Sequence, residues 1–460
     1  MMAKKIIKAS RVERASRVAK VEVEAEETVK KQRAPKDLTT LRGFRDVLPE
    51  EEPYWNRVRD NARQLAEYYS FGRLDLPLLE YADLFQRTLG KATDVIEKEM
   101  YVFTDPSGYD VALRPEATAQ TVRAYINHGM LNRPQPVKLY YEGQMFRHDR
   151  PQAGRYRQFN QFGFESIGEA DPIVDAQLIV IGERFFRDLG LNVVVEINSI
   201  GTSETRKAYV MELVSYFRGF RKNLSEDDKR RLQKNPLRLL DSKEPYMAEL
   251  LKDAPQIVDW LDEASKNHFM KVLEFLEEIE VPYRLNPHLV RGLDYYNRTV
   301  FEMYLAGETS SEASQGALLS GGRYDGLVEM LGGREGTPAC GFACGMERVV
   351  SALKEAGVDP NPRFQPRVFF AQLGDAARRK GLRLFEEFRA EHIQVAEAFG
   401  KGSLKAQLEV ANKMNAAYTI ILGQKEVLDG TIIIRDMDSG AQEIVDAGKV
   451  VSIMQKRLVL

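Results

Sequence analysis

Arg147, Arg155, Arg157, Gln161 and Glu165 fall within residues 142–165, EGQMFRHDRPQAGRYRQFNQFGFE. Arginine's planar fork bonds phosphate oxygens two at a time. Two runs with β character flank Pro151-Gln152-Ala153-Gly154. The pattern predicts a hairpin with a long mobile tip, Arg147 ending the first run and Arg155 opening the second. Successive strand residues point to opposite sides, so Arg157, Phe159, Gln161, Gly163 and Glu165 share one face. An ordinary hairpin turns such a polar face to solvent. Here Phe146, Phe159, Phe162 and Phe164 spread over both faces and the arginines gather at the tip, which favours a ligand bearing phosphates.

The string FRHDRPQAGRYRQFNQFGFE resembles motif 2 of class II aminoacyl-tRNA synthetases, in the form found in histidyl-tRNA synthetases. Three further strings carry the resemblance. Arg291-Gly292-Leu293-Asp294-Tyr295-Tyr296 resembles the histidine-specific signature of that family and is the most specific string in the chain. Without the match, it reads as a buried strand with two amphipathic tyrosines. Arg114-Pro115-Glu116-Ala117-Thr118 resembles the family's R-P-E-G-T segment, with Ala117 in place of the usual glycine. The extra methyl narrows a pocket and removes no polar group. The same residues also read as a helix start, Pro115 and Glu116 lying in the first turn before Ala119–Tyr125, and both readings hold at once. Residues Gly341 to Arg348, leading into a helix over Val349–Ala356, resemble motif 3. A glycine-to-helix start is also a natural anion site. Gly321-Gly322-Arg323-Tyr324-Asp325 and Gly332-Gly333 read as glycine-rich turns and lack the G-x-G-x-x-G spacing of a dinucleotide site.

The resemblance implies ATP-dependent attachment of L-histidine to tRNA(His) through a histidyl-adenylate, with AMP and diphosphate released. It implies that Arg147 and Arg291 hold the carboxylate and α-phosphate together as the catalytic pair. Glu116 and Thr118 would accept from the ammonium group, beside Ala117, with Gln161 helping to fix it. Glu165 and Tyr296 would bind the imidazole nitrogens, with Tyr295 beside them. Four strand residues span about 13 Å, so Gln161 and Glu165 would flank the ligand from different ends. Arg348 and Phe159 would sandwich the adenine and Arg155 would reach the outer phosphates. ATP is then a substrate and Mg2+ is expected on its phosphates, its protein ligands unassigned. The implied fold is an α+β class II synthetase core, an antiparallel sheet flanked by helices, with a helical insertion and a C-terminal α/β anticodon-binding domain.

The surrounding elements must position these groups. Pro49-Glu50-Glu51-Glu52 opens a helix with Trp55, Val58, Ala62, Leu65, Ala66 and Tyr69 at helical spacing, and Gly72 stops it. A strand follows over Arg73–Leu79; the pair resembles motif 1, which implies a homodimer. Residues 101–114 read as a hairpin turning at Pro106-Ser107-Gly108, Asp171–Leu189 as an amphipathic helix and Asn192–Asn198 as a strand. Residues 200–275 are helical and charged; Arg218, Arg221, Lys222, Lys229, Arg230, Arg231, Lys234 and Arg238 could meet RNA phosphates or form a solvated face. After the prolines of 359–366, strands and helices alternate through Val368–Leu373, Asp375–Glu391, Ile393–Phe399, Ser403–Ala416, Tyr418–Leu422 and Thr431–Arg435 to a final helix. The expected divisions are 1–37, 38–199, 200–280, 281–358, 359–366 and 367–460.

A formal charge of −2 over 460 residues leaves any nucleic-acid surface to local patches. Two cysteines, Cys340 and Cys344, exclude a disulfide framework and suit a reducing compartment. The five scattered histidines supply no zinc pattern. No apolar run approaches the roughly 20 residues of a membrane span, and Ile6-Ile7 is too short for a signal peptide, so a cytoplasmic protein without a membrane anchor is expected. Residues 1–37 read as a charged, disordered or loosely helical extension: a solvated tail, or a basic arm touching RNA. Acids at Glu22–Glu27 argue against an organellar transit peptide. The rival reading is a non-catalytic regulatory subunit of histidine biosynthesis. Such chains lose the C-terminal domain and erode their motifs, whereas Arg147, Arg291 and Arg348 are all present here.

Overall fold

The computed structural model describes residues 39–90, 93, 95–151, 154–242, 244–307, 316–360 and 366–458. The expected extension at 1–37, the hairpin-tip residues Gln152 and Ala153, and most of the 359–366 linker lie outside these. Two compact units divide the chain. One holds Val58–Val358 with the described residues ahead of Pro49; the other holds Pro49–Arg57 with Asp359 onward.

Helix α1 spans Glu52–Tyr68, with the part from Val58 onward in the larger unit, and buries Trp55, Val58, Ala62, Leu65 and Ala66, the expected apolar stripe. The expected strand over Arg73–Leu79 is instead two short pieces, β1 (Gly72–Arg73) and β2 (Leu79–Tyr81). Pro77 lies in the gap between them and has no N–H to give a ladder. Helix α2 (Ala82–Thr88) leads to the hairpin β3 (Tyr101–Thr104) and β4 (Asp110–Leu113), which pairs with β2 in a three-stranded sheet. Helix α3 covers Thr118–Asn127. Strands β5 (Val137–Phe146) and β6 (Gln158–Ile167) form the long hairpin, followed by α4 (Pro172–Asp188) and β7 (Val193–Ser199). Then come the helices α5 (Ser203–Gly219), α6 (Glu226–Lys234), α7 (Met247–Lys252) and α8 (Glu263–Glu278). The unit ends with β8 (Tyr283–Leu285), β9 (Asn297–Leu305), β10 (Leu319–Arg323), α9 (Leu327–Met330), β11 (Ala339–Gly345) and α10 (Met346–Glu355).

The large sheet runs β1-β5-β6-β11-β10-β9-β7-β8. Its middle is antiparallel, and the edge strands β1 and β8 pair in parallel, so the sheet is mixed. Two expectations give way here. Gly321 to Arg323 is a strand, because Gly321 admits the neighbouring chains: a Cβ there would sit 2.5 Å from the Gly341 carbonyl oxygen. Residues Ala339 to Gly345 form a strand that leads into α10, the helix expected after Arg348. Tyr295 and Tyr296 lie in a turn ahead of β9, not within a strand. On one face of the sheet Phe162, Phe164 and Phe342 pack with Tyr140 and Phe185, all buried. Each such side chain contributes about 1.5–3 kcal/mol of burial. That leaves the other face of β6 for chemistry.

In the smaller unit, β12 (Val368–Gln372), α11 (Asp375–Ala390), β13 (Val395–Glu397), α12 (Leu404–Lys413) and β14 (Tyr418–Leu422) alternate as the sequence implies. A short helix α13 (Gln424–Asp429), the hairpin β15 (Thr431–Asp436) and β16 (Gln442–Asp446), and α14 (Val450–Leu458) complete it. The helix α13 and the strand β16 were not read from the sequence; every residue of β16 keeps solvent contact, so it carries little apolar signal. The sheet order is β13-β12-β14-β15-β16, parallel in its first three strands and antiparallel in the hairpin. Phe370, Ile420 and Ile434 pack in one core cluster and Phe369, Ala371 and Ile421 in another, the alternation of strands covered on both faces.

Candidate functional site

A cavity of about 1490 Å³ opens on the polar face of β6. It exceeds the roughly 300–1,000 Å³ of a pocket for one small ligand. Glu116, Thr118, Arg147, Arg155, Phe159, Gln161, Arg291, Tyr295, Tyr296 and Arg348 all line it. These residues come from segments spread over more than half the larger unit, and the sheet brings them together. Ala117 and Glu165 do not line it; they are buried behind its wall.

The hairpin supplies the first group. Its strands pair from Val137 with Ile167 to Phe146 with Gln158, and the Arg147 N–H extends the pairing to the Arg157 carbonyl. The runs therefore stop short of Arg155, which sits in the tip connection with an exposed ion pair to Asp149 at 3.3 Å. Arg147 donates from Nε to the Pro115 carbonyl at 2.9 Å, and its guanidinium lies 5.5 Å from the Phe159 ring centre. That hydrogen bond ties the hairpin to the Arg114–Thr118 segment. Gly163 is required for space: a Cβ there would meet the Tyr141 ring at 2.3 Å.

Glu116 caps α3. Its carboxylate accepts from the Thr118 and Ala119 N–H groups at 2.6 and 3.1 Å. Such bonds satisfy donors that a helix start leaves orphaned. Burial nevertheless outweighs them and the nearby Arg147 charge, and pushes the carboxyl up from its usual range. Thr118 donates from its hydroxyl to Glu165 at 2.7 Å, and the Tyr324 hydroxyl donates to the other Glu165 oxygen. Glu165 packs so closely on β11 that a Cβ at Gly341 would lie 1.5 Å from its Oε2. Burial raises the Glu165 carboxyl to about 8, opposed by the two hydroxyls and reinforced by the Glu116 charge. A neutral acid beside two hydroxyls can donate as well as accept, which suits recognition of a polar ring.

The Arg291 guanidinium pairs with Glu302 on β9 and lies 5.4 Å from the Tyr296 ring centre. Its Nε–H is buried and has no hydrogen-bond acceptor among the described residues. Tyr304 donates to the other Glu302 oxygen. Tyr295 and Tyr296 have ring centres 4.6 Å apart, and Tyr324 packs against Tyr295 at 5.7 Å. Arg348 donates to the Ala317 carbonyl at 2.5 Å. Burial lowers its guanidinium to about 10, helped by the like charges of Arg155 and Arg147, and it is still a cation at neutral pH. Next to it Glu347 accepts from the Asn160 N–H and amide at 2.8 and 2.9 Å, fixing α10 to β6.

Sequence reasoning missed Tyr324, Tyr141, Glu302 and Glu347. Tyr324 belongs to a string read as a turn. The Tyr141 hydroxyl is buried on the cavity wall beside Thr118 and has no well-formed hydrogen bond among the described residues. Spacing gives no sign of Glu302, whose importance comes from its pairing with Arg291. In the helical stretch, Lys229, Arg230, Arg231 and Lys234 are paired with Glu226, Asp227, Asp228 and Glu97.

Known proteins match this arrangement along nearly its whole length. The family profile described as Histidyl-tRNA synthetase matches residues 43–349, and one described as Anticodon binding domain matches 367–457. A Histidine–tRNA ligase of Dehalococcoides mccartyi is 44% identical over 418 residues, covering 91% of this chain and 99% of the relative. One from Dechloromonas aromatica is 45% identical over 395 residues, 85% of this chain and 90% of the relative. The crystal structure of apo Staphylococcus aureus histidyl-tRNA synthetase superposes with a TM-score of 0.75 at 33% identity, covering 91% of this chain and 99% of that one. A Bacillus halodurans structure described as an ATP phosphoribosyltransferase regulatory subunit/histidyl-tRNA synthetase shares the fold at 21% identity, with a TM-score of 0.61 and coverage of 85% and 99%. The chain belongs to the histidyl-tRNA synthetase family of class II aminoacyl-tRNA synthetases.

Proposed function

We propose that the protein attaches L-histidine to tRNA(His) at the expense of ATP, through a histidyl-adenylate. The observation that carries this reading is the convergence of Arg147, Arg291 and Arg348 on one cavity whose wall holds Gln161, Thr118 and the two tyrosines. A carboxylate oxygen of histidine attacks the α-phosphorus of ATP; its bond to the diphosphate breaks and diphosphate leaves. Then a ribose hydroxyl at the 3′ end of the tRNA attacks the histidyl carbonyl, the mixed anhydride breaks, AMP leaves and the hydroxyl proton is released. Both steps need positioning and charge neutralisation more than covalent help.

Arg147 and Arg291 draw carboxylate and α-phosphate together, and the unpartnered Arg291 Nε–H supports an anion there. Phe159 and Arg348 take the adenine, with Arg155 on the outer phosphates. Glu116, Thr118 and Gln161 surround the ammonium group. Glu165 and Tyr296 read the imidazole, with Tyr295 and Ala117 shaping the pocket; Glu165 acts from behind the wall and turns outward or donates through its acid form.

Among the described residues, no three His, Cys, Asp or Glu side chains group to hold a metal alone. Magnesium carried on ATP needs only one or two carboxylates. Glu196 and Glu302, paired across β7 and β9 on the cavity wall, would hold it, and it would neutralise phosphate charge.

The divisions at 38–199, 200–280, 281–358 and 367–460 follow from the same reading, with the helices α5 to α8 and the smaller unit meeting the tRNA. A homodimer is part of it too. Tyr81, Val111 and Phe103 stand in one row across the three-stranded sheet, and Leu79, Tyr81 and Phe103 are exposed. An apolar patch of this kind favours a partner surface. The reading places the protein in the cytoplasm; no helix among the described residues is long and apolar enough to cross a membrane. The regulatory-subunit alternative is not favoured, since nothing in the arginine set is eroded. ATP–pyrophosphate exchange with each amino acid supplied singly tests the whole: exchange with histidine alone is expected, and none with any amino acid overturns it.

A further inference from the structure

Arg206, on the first turns of α5, reaches out of the helical stretch and donates from Nη1 to the backbone carbonyl of Tyr296. No motif in the sequence points to this residue, and it does not line the cavity. Three features fix where its guanidinium can be. Thr202 caps α5 by accepting from the Thr205 N–H. The segment just before that cap is stitched to the start of β9: Ile200 donates to the Arg298 carbonyl and Arg298 to the Gly201 carbonyl, both at 2.8 Å. Arg298 adopts φ +50° to make those bonds, a left-handed conformation that a non-glycine residue keeps only where its surroundings impose it. The helix carrying Arg206 is therefore registered against the strand that follows Tyr296.

The Arg291–Tyr296 turn is held from the same side a second time. Asn235, in the turn after α6, donates to Asp294 at 3.2 Å. Asp294 in turn packs on Gly90, where a Cβ would lie 2.0 Å from its Oδ2. On the cavity side, the Tyr296 ring has little room: it lies beneath Arg291 and abuts Gly322, where a Cβ would be 2.9 Å from it. With the ring confined there, the hydrogen bond to its backbone carbonyl decides the depth at which the hydroxyl meets a ligand.

We propose that Arg206 is a positioning residue for the amino-acid pocket, fixing Tyr296 through its carbonyl so that the α5 helix and the pocket move as one piece. The proposal rests on the reading that Tyr296 contacts the amino acid. It makes the KM for histidine depend on a side chain that touches neither substrate. A carbonyl that loses a charged donor gives up a bond typically worth more than a neutral one.

The test is steady-state ATP–pyrophosphate exchange by the full chain, with histidine and ATP varied separately, for Arg206→Ala, Arg206→Lys, Tyr296→Phe and the Arg206→Ala/Tyr296→Phe pair. Arg206→Ala is expected to raise the KM for histidine about tenfold and leave that for ATP within about twofold. Arg206→Lys, which keeps one charged donor, recovers part of the loss. The double variant costs less than the product of the single effects, because both act on one side chain. An unchanged KM for histidine in Arg206→Ala, an equal rise in both KM values, or full multiplicativity overturns the proposal. If Arg206→Ala does not fold, Arg206→Lys carries the test: a selective rise in the KM for histidine supports it and none overturns it. An unchanged KM for histidine in Tyr296→Phe defeats the pocket reading itself, a result distinct from failure at Arg206.

Discussion

Arg323 and Asp175 form an ion pair in which neither side chain has any exposed surface, and His268 Nε2 stands 3.4 Å from the same carboxylate. The pair joins β10 to α4, and His268 adds α8. Residue 323 is followed by Tyr324, whose hydroxyl donates to Glu165. The buried pair thus anchors the strand end that presents a tyrosine to the pocket's acid.

Asp175→Ala is expected to destabilise the larger unit by roughly 3–5 kcal/mol, because it breaks a fully buried pair and leaves the guanidinium only Asp325 as a carboxylate partner. Burial alone would raise the Asp175 carboxyl; the Arg323 charge and hydrogen bonds, with His268 close by, overcome that and hold it at about 2. A depressed folded-state value contributes stability above the unfolded value of 3.8, lost as pH falls toward 2. Chemical denaturation at pH 6 and pH 3 measures both effects: the gap between wild type and Asp175→Ala narrows at the lower pH. A gap that is equal at both would sink the charge argument.

Glu165 titrates the other way. Its folded value of about 8 lies above the unfolded value of 4.5, so the ligand-free protein keeps a proton there that the unfolded chain has lost. The sign is a loss of stability as pH rises from 4.5 to 8, on the order of 4 kcal/mol. Glu165→Gln removes the titrating group while keeping the shape. Melting temperatures across that pH range are expected to fall less steeply in this variant than in wild type. The same variant is expected to lose histidine activation by about 100-fold or more while still binding ATP, since a site built around the carboxyl is left wrongly paired. Near-normal exchange would remove Glu165 from the pocket assignment.

Arg291→Ala is expected to lower kcat for exchange by about 10²–10³-fold, the scale for losing one preorganised charge at a reacting group. Glu302 keeps its Tyr304 partner in the variant, so the fold should survive. Circular dichroism and a thermal melt check that point, and a loss seen only in KM would assign Arg291 to binding alone.

The exposed row on the small sheet gives a fourth outcome. Tyr81→Asp combined with Phe103→Asp places charge on two half-exposed rings while leaving the cavity residues in place. Sedimentation velocity is expected to show a homodimer for wild type and a monomer for the variant, because a charge facing a buried apolar surface is costly. A variant that stays dimeric would move the contact elsewhere.

Local pattern decided a good part of this molecule. The period-2 run from Phe159 to Glu165 placed Gln161 on the cavity wall and Glu165 just behind it, and put Phe162 and Phe164 in the core. The alternation after Val368 gave the smaller unit its sheet and helices. These are legible because strand and helix periods act over a few neighbouring residues. The glycine run at Gly321 to Arg323 was misread, since a missing side chain serves equally for a turn or for close approach of two strands. Only the tertiary structure decided what each charged group faces. Tyr324 meets Glu165 across 159 positions, and Glu302 becomes the partner of Arg291 because β9 passes beneath the turn that carries it. The protonation of Glu165 and the ionisation of Asp175 follow from the same cause: burial and nearby charge are set by long-range packing, which leaves no period in the chain.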